Sequence, residues 1–148
     1  MPEKVKVFLS YSNKDHEFRE ELKKHFSGLT KLNVIKLWYD GLIQPGEPWD
    51  ATIKRNLEEA DYILFLISAD FMNSDYINDV EIKRAIERHD RKQVKIIPII
   101  VRPCDHASLP INQLQALPKG AIPISTWPNR DEAYLNIVLE FKRILPQR

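Results

Sequence analysis

Cysteine and histidine, which often carry chemistry, lack in this sequence the partners that such chemistry requires. Cys104 is the only cysteine, and a nucleophilic thiol needs a base that the fold holds against it. His106 is close along the chain, but closeness in sequence does not make a dyad, so we interpret Cys104 as structural. His16, His25, His89 and His106 show no metal-ligand spacing with one another or with Cys104. The sequence therefore predicts no metal site.

Phosphate-binding patterns are also missing. The sequence has no G-x-x-x-x-G-K-[ST] run, and its glycines form no G-x-G-x-x-G after the first apolar run. A phospho-receiver domain needs acidic residues where this chain has Ser10-Tyr11, and an aspartate where it has Ser68. Lys plus Arg total 22 and Asp plus Glu total 21. A nucleic-acid binder would need a clustered basic excess, so we do not expect that function.

The elements that must position any site follow from five apolar runs, at residues 5–9, 34–39, 62–67, 94–101 and 121–125. Helical patterns separate them, and the third run is apolar throughout, as in a parallel strand buried on both faces. We therefore predict one α/β domain over residues 1–148. Its expected form is a three-layer flavodoxin-like sandwich, with a five-stranded parallel sheet in the order 2-1-3-4-5 and helices on both faces. Pro98 donates no hydrogen bond, which indicates an edge or locally unpaired position in the fourth run.

A helix-start signal lies next to the region where such a sheet would bind a ligand. Ser12 followed by Asp15 resembles a capping box. Ligands of these sheets bind outside the carboxyl ends of the strands, where the chain order reverses. This point lies between strands one and three, so it selects Ser10, Tyr11 and Ser12 and the segment after Ser68.

Glu81 follows in the next predicted helix. At about 100° per residue, Ile82, Ala85, Ile86 and His89 define the inner face of that helix. Glu81 falls about 40° from Ala85, at the border of the face, where a carboxylate can point into a cleft. The alternative is an exposed ion pair between Glu81 and Arg84, worth a few tenths of a kcal/mol.

Four segments in the right order resemble the TIR (Toll/interleukin-1 receptor) domain family over roughly residues 4–145. Residues 8–15, FLSYSNKD, are similar to the F-[IL]-S-Y-x-x-x-D motif that ends strand one. Pro45-Gly46 matches the Pro-Gly pair that is characteristic of the family's loop after strand two. Residues 66–74, LISADFMNS, match the L-[IL]-S-x-x-[FY]-x-x-S motif that closes strand three. Glu81 matches the glutamate of the following helix. The P-G-E-x-W and R-P-C-D segments are more similar to bacterial members than to animal receptor adaptors.

The resemblance implies two kinds of work. Bacterial and plant members cleave NAD to nicotinamide and ADP-ribose or a cyclic isomer, and Glu81 would be the catalytic residue. We expect this activity, NAD being the substrate and no cofactor being needed, in bacterial antiviral defence and activated by self-association. The alternative is a non-catalytic scaffold that assembles with other TIR domains. A third option is a nucleotide-binding module without turnover.

A glutamate suits the expected reaction because breaking the nicotinamide–ribose bond leaves a ribose with oxocarbenium character. Nicotinamide departs neutral, so no general acid is needed, and a fixed carboxylate offsets the developing positive charge. Ser10, Tyr11 and Ser12 would meet phosphate or ribose. Trp49 and Tyr76 could stack on a flat heterocycle, although burial of Trp49 against strand two is an equal alternative.

The loop after strand two contributes a second expectation. Gln44, Pro45 and Gly46 are the candidates for a mobile lid and for contacts between subunits. Gly46 can adopt backbone angles that other residues resist.

The sequence departs from the family between Ser74 and Glu81. Animal and plant members often have S-x-W-C-x-x-E, and this chain is one residue longer there, with tyrosine and isoleucine in place of Trp-Cys. A shifted register would make Asp79 or Val80 the structural equivalent of the catalytic glutamate.

The remaining expectations concern the setting of the protein. No run approaches the roughly 20 apolar residues of a membrane span, and the amino terminus is too polar for a signal peptide. One cysteine permits no internal disulfide. We expect a cytoplasmic protein without membrane or nucleic-acid partners, which works with a fused or separate sensor region.

Overall fold

Four parallel strands form the central sheet of the structure, a computed structural model that describes residues 4–146. They are β1 (Val5–Ser10), β2 (Ile35–Trp38), β3 (Tyr62–Ile67) and β4 (Lys95–Ile100). Their order is β2-β1-β3-β4. The chain order therefore reverses between β1 and β3, as predicted.

Within residues 4–146, six α-helices connect and cover the strands. They are α1 (His16–His25), α2 (Ser27–Lys31), α3 (Trp49–Glu59), α4 (Ala69–Asn73), α5 (Lys83–Asp90) and α6 (Arg130–Ile144). A π-helix, Ile77–Ile82, runs directly into α5. Short 3-10 turns lie at Asn13–Asp15, Asp40–Leu42, His106–Ser108, Lys119–Ala121 and Ile124–Thr126. Among residues 4–146, no helix combines the length and the apolar composition that crossing a bilayer requires.

Alternate strand residues feed two separate cores, one on each face of the sheet. Leu64 and Leu66 of β3 pack with α1 and α6, whereas Ile63 and Phe65 pack with α3, α4 and α5. All six residues of β3 are buried. The three-layer α/β sandwich is thus confirmed, because a strand that is apolar on both faces needs helices on both sides.

The predicted fifth strand at residues 121–125 is wrong. That segment forms two 3-10 turns instead of pairing along β4. Gly120 and Ala121 have positive φ angles of 73° and 56°, which an extended strand does not allow. Pro118 and Pro123 flank them and donate no hydrogen bond to a ladder. The described sheet therefore ends at β4.

One isolated bridge replaces the missing strand. The Ile100 N–H donates to the Leu117 carbonyl over 2.9 Å, and the Leu117 N–H donates to the Pro98 carbonyl over 2.9 Å. The N–H groups of Lys95 and Val101 point the other way and donate to the carbonyls of Asp61, directly before β3, and of Ile67 at the end of β3. Successive backbone nitrogens of a strand point to opposite sides, and Pro98 lies three residues from both Lys95 and Val101. Its nitrogen therefore faces the outer side of β4, where no hydrogen bond of the sheet is lost. The expectation of an edge position for Pro98 is confirmed.

The inner face predicted for the helix that follows Glu81 is only half right. Ile82 and Ala85 are buried, but Ile86 and His89 are half-exposed and Arg88 is buried instead. Arg88 Nη1 donates to the carbonyls of two residues at the end of α3, Leu57 at 2.7 Å and Ala60 at 3.0 Å. A helix end exposes carbonyls that need donors, so the guanidinium is satisfied where an apolar side chain would not help.

Candidate functional site

A cleft of about 300 Å³ opens at the carboxyl end of β1. Its walls come from the loop after β1, the turn after β2, the start of α3 and the π-helix. It brings together six of the predicted site residues, namely Ser10, Tyr11, Ser12, Trp49, Tyr76 and Glu81. A wider groove of about 790 Å³ lies at the opposite edge of the sheet and includes none of them in its lining.

Glu81 is the buried carboxyl group of this cleft, with only 7% of its surface exposed. Burial raises its pKa to about 7, the nearby Ser10 hydroxyl opposes that rise, and the charge of Asp40 adds to it. The alternative ion pair with Arg84 is not formed. Arg84 instead donates from Nε and Nη2 to the Glu58 carboxylate of α3, over 2.6 and 2.7 Å. The Glu81 carboxyl is thus kept apart from that cation and faces the cleft.

The π-helix resolves which residue of this segment faces the cleft. Asp79 is exposed and Val80 is half-buried, whereas Glu81 lines the cleft. A π-turn takes one more residue than an α-turn, so it absorbs the one-residue excess between Ser74 and Glu81. The sequence signal was that excess spacing, although periodicity alone did not predict a π-helix.

The hydroxyl groups predicted for the site differ in their availability. Ser10 is 2% exposed, and its Oγ has no hydrogen-bond partner of standard geometry among the described residues. Tyr11 is engaged, because its hydroxyl donates to Asp40 Oδ1 at 2.6 Å and accepts from Arg19 Nη1 at 2.7 Å. Burial and the bond to Asp40 raise the pKa of Tyr11. Ser10 is therefore the better placed of the two to bind a ligand.

Two aromatic rings form the mouth of the cleft. The centroids of Trp49 and Tyr76 are 4.6 Å apart, with their planes at 51°. Trp49 is 50% exposed, so the alternative of burial against β2 is wrong. The Tyr76 hydroxyl donates to Asp50 Oδ1 at 2.8 Å, which fixes that ring. The exposed indole leaves apolar surface beside the buried carboxyl.

The loop residues Gln44, Pro45 and Gly46 are exposed and lie outside the lining of the cleft. The Glu47 N–H donates to the Gln44 carbonyl at 3.0 Å, and the Gln44 N–H donates to Glu47 Oε1 at 2.8 Å. Gly46 has a φ of 90°, which the third position of a Pro-Gly turn requires. The loop is thus a tight turn between the β2 turn and α3, at the border of the cleft.

A buried polar network beside the cleft corrects the predicted capping box. Ser12 Oγ accepts from the Lys14 N–H at 3.3 Å, as a cap should, but the Asp15 side chain does not bond back to the Ser12 N–H. The Asp15 carboxylate, 1% exposed, accepts instead from Ser68 Oγ and from Arg102 Nε, the latter at 2.9 Å. These residues tie together the loops after β1, β3 and β4. The side chain of Asp15 is of a type that can cap a helix, but here it bonds to residues that are distant in sequence.

Other sites are not supported within residues 4–146. No group of three or more His, Cys, Asp or Glu side chains there could hold a metal ion. Burial raises the pKa of the half-buried Cys104 thiol, which disfavours the nucleophilic thiolate.

The comparisons with known sequences point to one family. A sequence model of the TIR domain matches residues 7–138. The chain is 43% identical over 131 residues to the uncharacterized protein y4lF of Sinorhizobium fredii (strain NBRC 101917 / NGR234), covering 88% of this chain and 41% of that protein. It is 25% identical over 95 residues to the probable 2' cyclic ADP-D-ribose synthase TcpO of Methanobrevibacter olleyae, covering 64% of this chain and 26% of that protein. The chain thus spans less than half the length of either curated relative.

Solved structures agree on the fold. The TIR domain of the Toll-related receptor TRR-2 from Hydra magnipapillata superposes with a TM-score of 0.65 at 20% identity, covering 93% of this chain and 96% of that one. The TIR domains of the activated Roq1 resistosome, which directly recognizes the pathogen effector XopQ, give a TM-score of 0.54 at 17% identity, covering 66% of this chain and 57% of that one. On the sequence match and the shared fold, the chain belongs to the TIR domain family.

Proposed function

We propose that this protein cleaves the bond between nicotinamide and ribose in NAD, and that Glu81 is the catalytic residue. The observation that carries the proposal is one buried carboxyl group, 7% exposed, which lines a cleft at the carboxyl edge of a parallel sheet. A buried acid without a cation beside it is costly to the fold. Such a cost at a binding edge is typical of a functional group.

The chemistry follows from the charge of the substrate. The C1′–N bond breaks, its electron pair leaves with nicotinamide, and positive charge develops on the ribose. An ionised Glu81 would stabilise that charge, and water would then add to C1′ and lose a proton. The cationic nicotinamide ring of bound NAD favours ionisation of Glu81, so binding itself would bring the residue into its active form. An internal nucleophile in place of water would give a cyclic product.

The surroundings of Glu81 fit the nicotinamide–ribose half of NAD. Ser10 Oγ lies near the Glu81 carboxyl group and lowers its pKa, and it makes no hydrogen bond of standard geometry among the described residues, so it would also bond a ribose hydroxyl. The Trp49–Tyr76 pair offers a face for a flat ring. A volume of about 300 Å³ is at the low end for small-molecule sites. The ADP half would therefore extend past the mouth, towards the Pro45-Gly46 turn or a second copy of the chain.

The relatives support the same proposal at a coarser level. TcpO, similar over 26% of its own length, is named a probable 2' cyclic ADP-D-ribose synthase. We propose that the protein acts in the cytoplasm, in bacterial antiviral signalling, and that self-association activates it. A fused or separate sensor region would supply the trigger.

A scaffold function is the second candidate, and one observation favours it. Leu42 and Trp49 are 44% and 50% exposed on either side of the exposed Pro45-Gly46 turn. This surface could bind another TIR domain without any turnover of NAD. It predicts sensitivity of assembly to Gly46 substitutions and none to Glu81→Gln.

The deciding experiment measures nicotinamide release by chromatography. Wild type, Glu81→Gln and the matched control Asp79→Asn are incubated with NAD at high concentration, free and clustered on beads. The proposal expects release by wild type and by Asp79→Asn, and none by Glu81→Gln. Equal release by all three would reject Glu81 as the catalytic residue. No release by clustered wild type would favour the scaffold.

A further inference from the structure

The backbone that carries Glu81 is unusual in this chain. In a regular α-helix, five residues advance by about 140° beyond one full turn, so Ile77 and Ile82 would lie on different faces. In the π-turn both face the same core, with 4% and 2% exposure, together with Phe71. Glu81, next to Ile82, is thereby directed to the cleft. The direction of the carboxyl group depends on the turn remaining π-helical.

One side chain bonds across the entry to this turn. Asn78 Nδ2 donates to the Met72 carbonyl at 2.9 Å and to the Ser74 carbonyl at 2.7 Å. Ser74 Oγ in turn accepts from the Ile77 N–H at 3.2 Å and caps the helix. Met72 lies in the last turn of α4 and Ser74 directly follows that helix, which Phe71 anchors in the core with 0% exposure. Asn78 therefore joins a fixed element to the π-turn.

We propose that Asn78 is a positioning residue for Glu81: its side-chain amide holds the π-turn in place, so that the carboxyl group points into the cleft. Without the two bonds, the backbone of this segment is free to form α-helical hydrogen bonds. The segment then contains one residue more than an α-helical turn requires. That change rotates Glu81 by up to about 100° relative to α4. The carboxyl group then leaves its buried position and reaches water. The catalytic part of this inference rests on the proposed NAD cleavage, whereas the geometric part does not.

The geometric part is tested by titrating the Glu81 carboxyl group with ¹³C NMR, the Glu81→Gln variant serving to assign the signal. Wild type is expected to titrate near pH 7, because burial raises the pKa. In Asn78→Ala the midpoint is expected to fall towards that of an exposed glutamate. The control Asp75→Ala changes an exposed residue of the same segment and is expected to titrate like wild type. A wild-type midpoint in Asn78→Ala would overturn the proposal.

A second variant separates positioning from general stability. Deleting Asp79 removes the excess residue, so the helix becomes regular and no longer needs the Asn78 bonds. Asn78→Ala combined with this deletion is expected to regain the wild-type midpoint. If the combined variant titrates like Asn78→Ala alone, or if neither folds, Asn78 serves only the stability of the helix and the proposal fails.

Kinetics add a readout where NAD is cleaved. Asn78→Ala is expected to lower kcat roughly 10- to 100-fold with KM nearly unchanged, since a misplacement of about 1 Å costs up to about 10²-fold. A rise in KM alone would contradict this. If wild type does not cleave NAD, the proposed function fails, and the titration still decides the geometric inference.

Discussion

Replacing Glu81 by glutamine should make the protein more stable, and increasingly so as the pH rises. Burial raises the pKa of Glu81 from 4.5 to about 7, so the folded chain keeps a proton that the unfolded chain releases over that interval. A carboxyl group whose pKa is raised by folding contributes stability at pH values below its pKa in the unfolded chain. This contribution is lost as the pH rises through its pKa in the folded chain. Glutamine has a similar shape and nothing to ionise, so the variant is spared this loss.

The size of the effect follows from the same two values. At about 1.4 kcal/mol for each pH unit, a rise from 4.5 to about 7 corresponds to roughly 3 kcal/mol. We expect wild type and Glu81→Gln to have similar free energies of unfolding near pH 4.5. Above pH 8 the variant should lead by about 3 kcal/mol, which is a large part of the stability of an ordinary domain.

Urea unfolding followed by tryptophan fluorescence between pH 4.5 and 8.5 measures this difference. Asp79→Asn is the matched control, because it makes the same kind of change at an exposed position of the same segment. Its difference from wild type should stay flat with pH. A flat difference for Glu81→Gln as well, or a variant less stable than wild type at pH 8, would refute the view that Glu81 is buried at a cost. This result would not depend on finding any enzyme activity.

Three further predictions concern the cleft and its border. Ser10 lowers the pKa of Glu81 and Asp40 raises it; in pH profiles of kcat/KM for NAD, Ser10→Ala should therefore move the acid limb to higher pH and Asp40→Asn to lower pH. A shift of both in the same direction would contradict this assignment. Trp49→Ala should raise KM about tenfold with a smaller effect on kcat, since an aromatic face contributes about 1–3 kcal/mol to stacking on a base; an unchanged KM in initial-rate kinetics would exclude the indole from binding. Gly46→Ala forces φ of 90° on a residue with a side chain, at about 1–2 kcal/mol; it should weaken concentration-dependent assembly in light scattering, and unaltered assembly would remove the turn from the interface.

The sequence was sufficient to predict the structure where a residue pattern is compatible with only one structural arrangement. The apolar run of β3 needs cover on both faces, so it predicted both the parallel sheet and the sandwich. The chain order at β1 and β3 then predicted that Ser10, Tyr11 and Ser12 would lie at a ligand site, whereas Glu81 was assigned to that site by the resemblance to the TIR family and Trp49 by its aromatic face. Pro98 predicted an edge because its missing N–H leaves few other positions.

The sequence was insufficient where tertiary partners decided the outcome. Residues 121–125 look like a strand, but the positive φ angles of Gly120 and Ala121 at the start of the segment and Pro123 within it prevent pairing. Asp15 suits a helix cap, yet Arg102, which is distant in sequence, donates a hydrogen bond to its carboxylate. The π-turn before Glu81 showed only as one residue of excess length, which left Asp79 and Val80 as alternatives. Only the packing of Ile77 and Ile82 onto one core distinguishes these registers.

The outer edge of β4 also bears on how the protein behaves at high concentration. An open strand edge is a template on which another chain can add a strand and begin aggregation. Here Pro98 presents no donor outwards, and Leu117 occupies both the Pro98 carbonyl and the Ile100 N–H. The middle of the edge is therefore closed to strand addition, although no full strand covers it. Assays that crowd the chain should thus yield no amyloid-like fibres that grow through this edge.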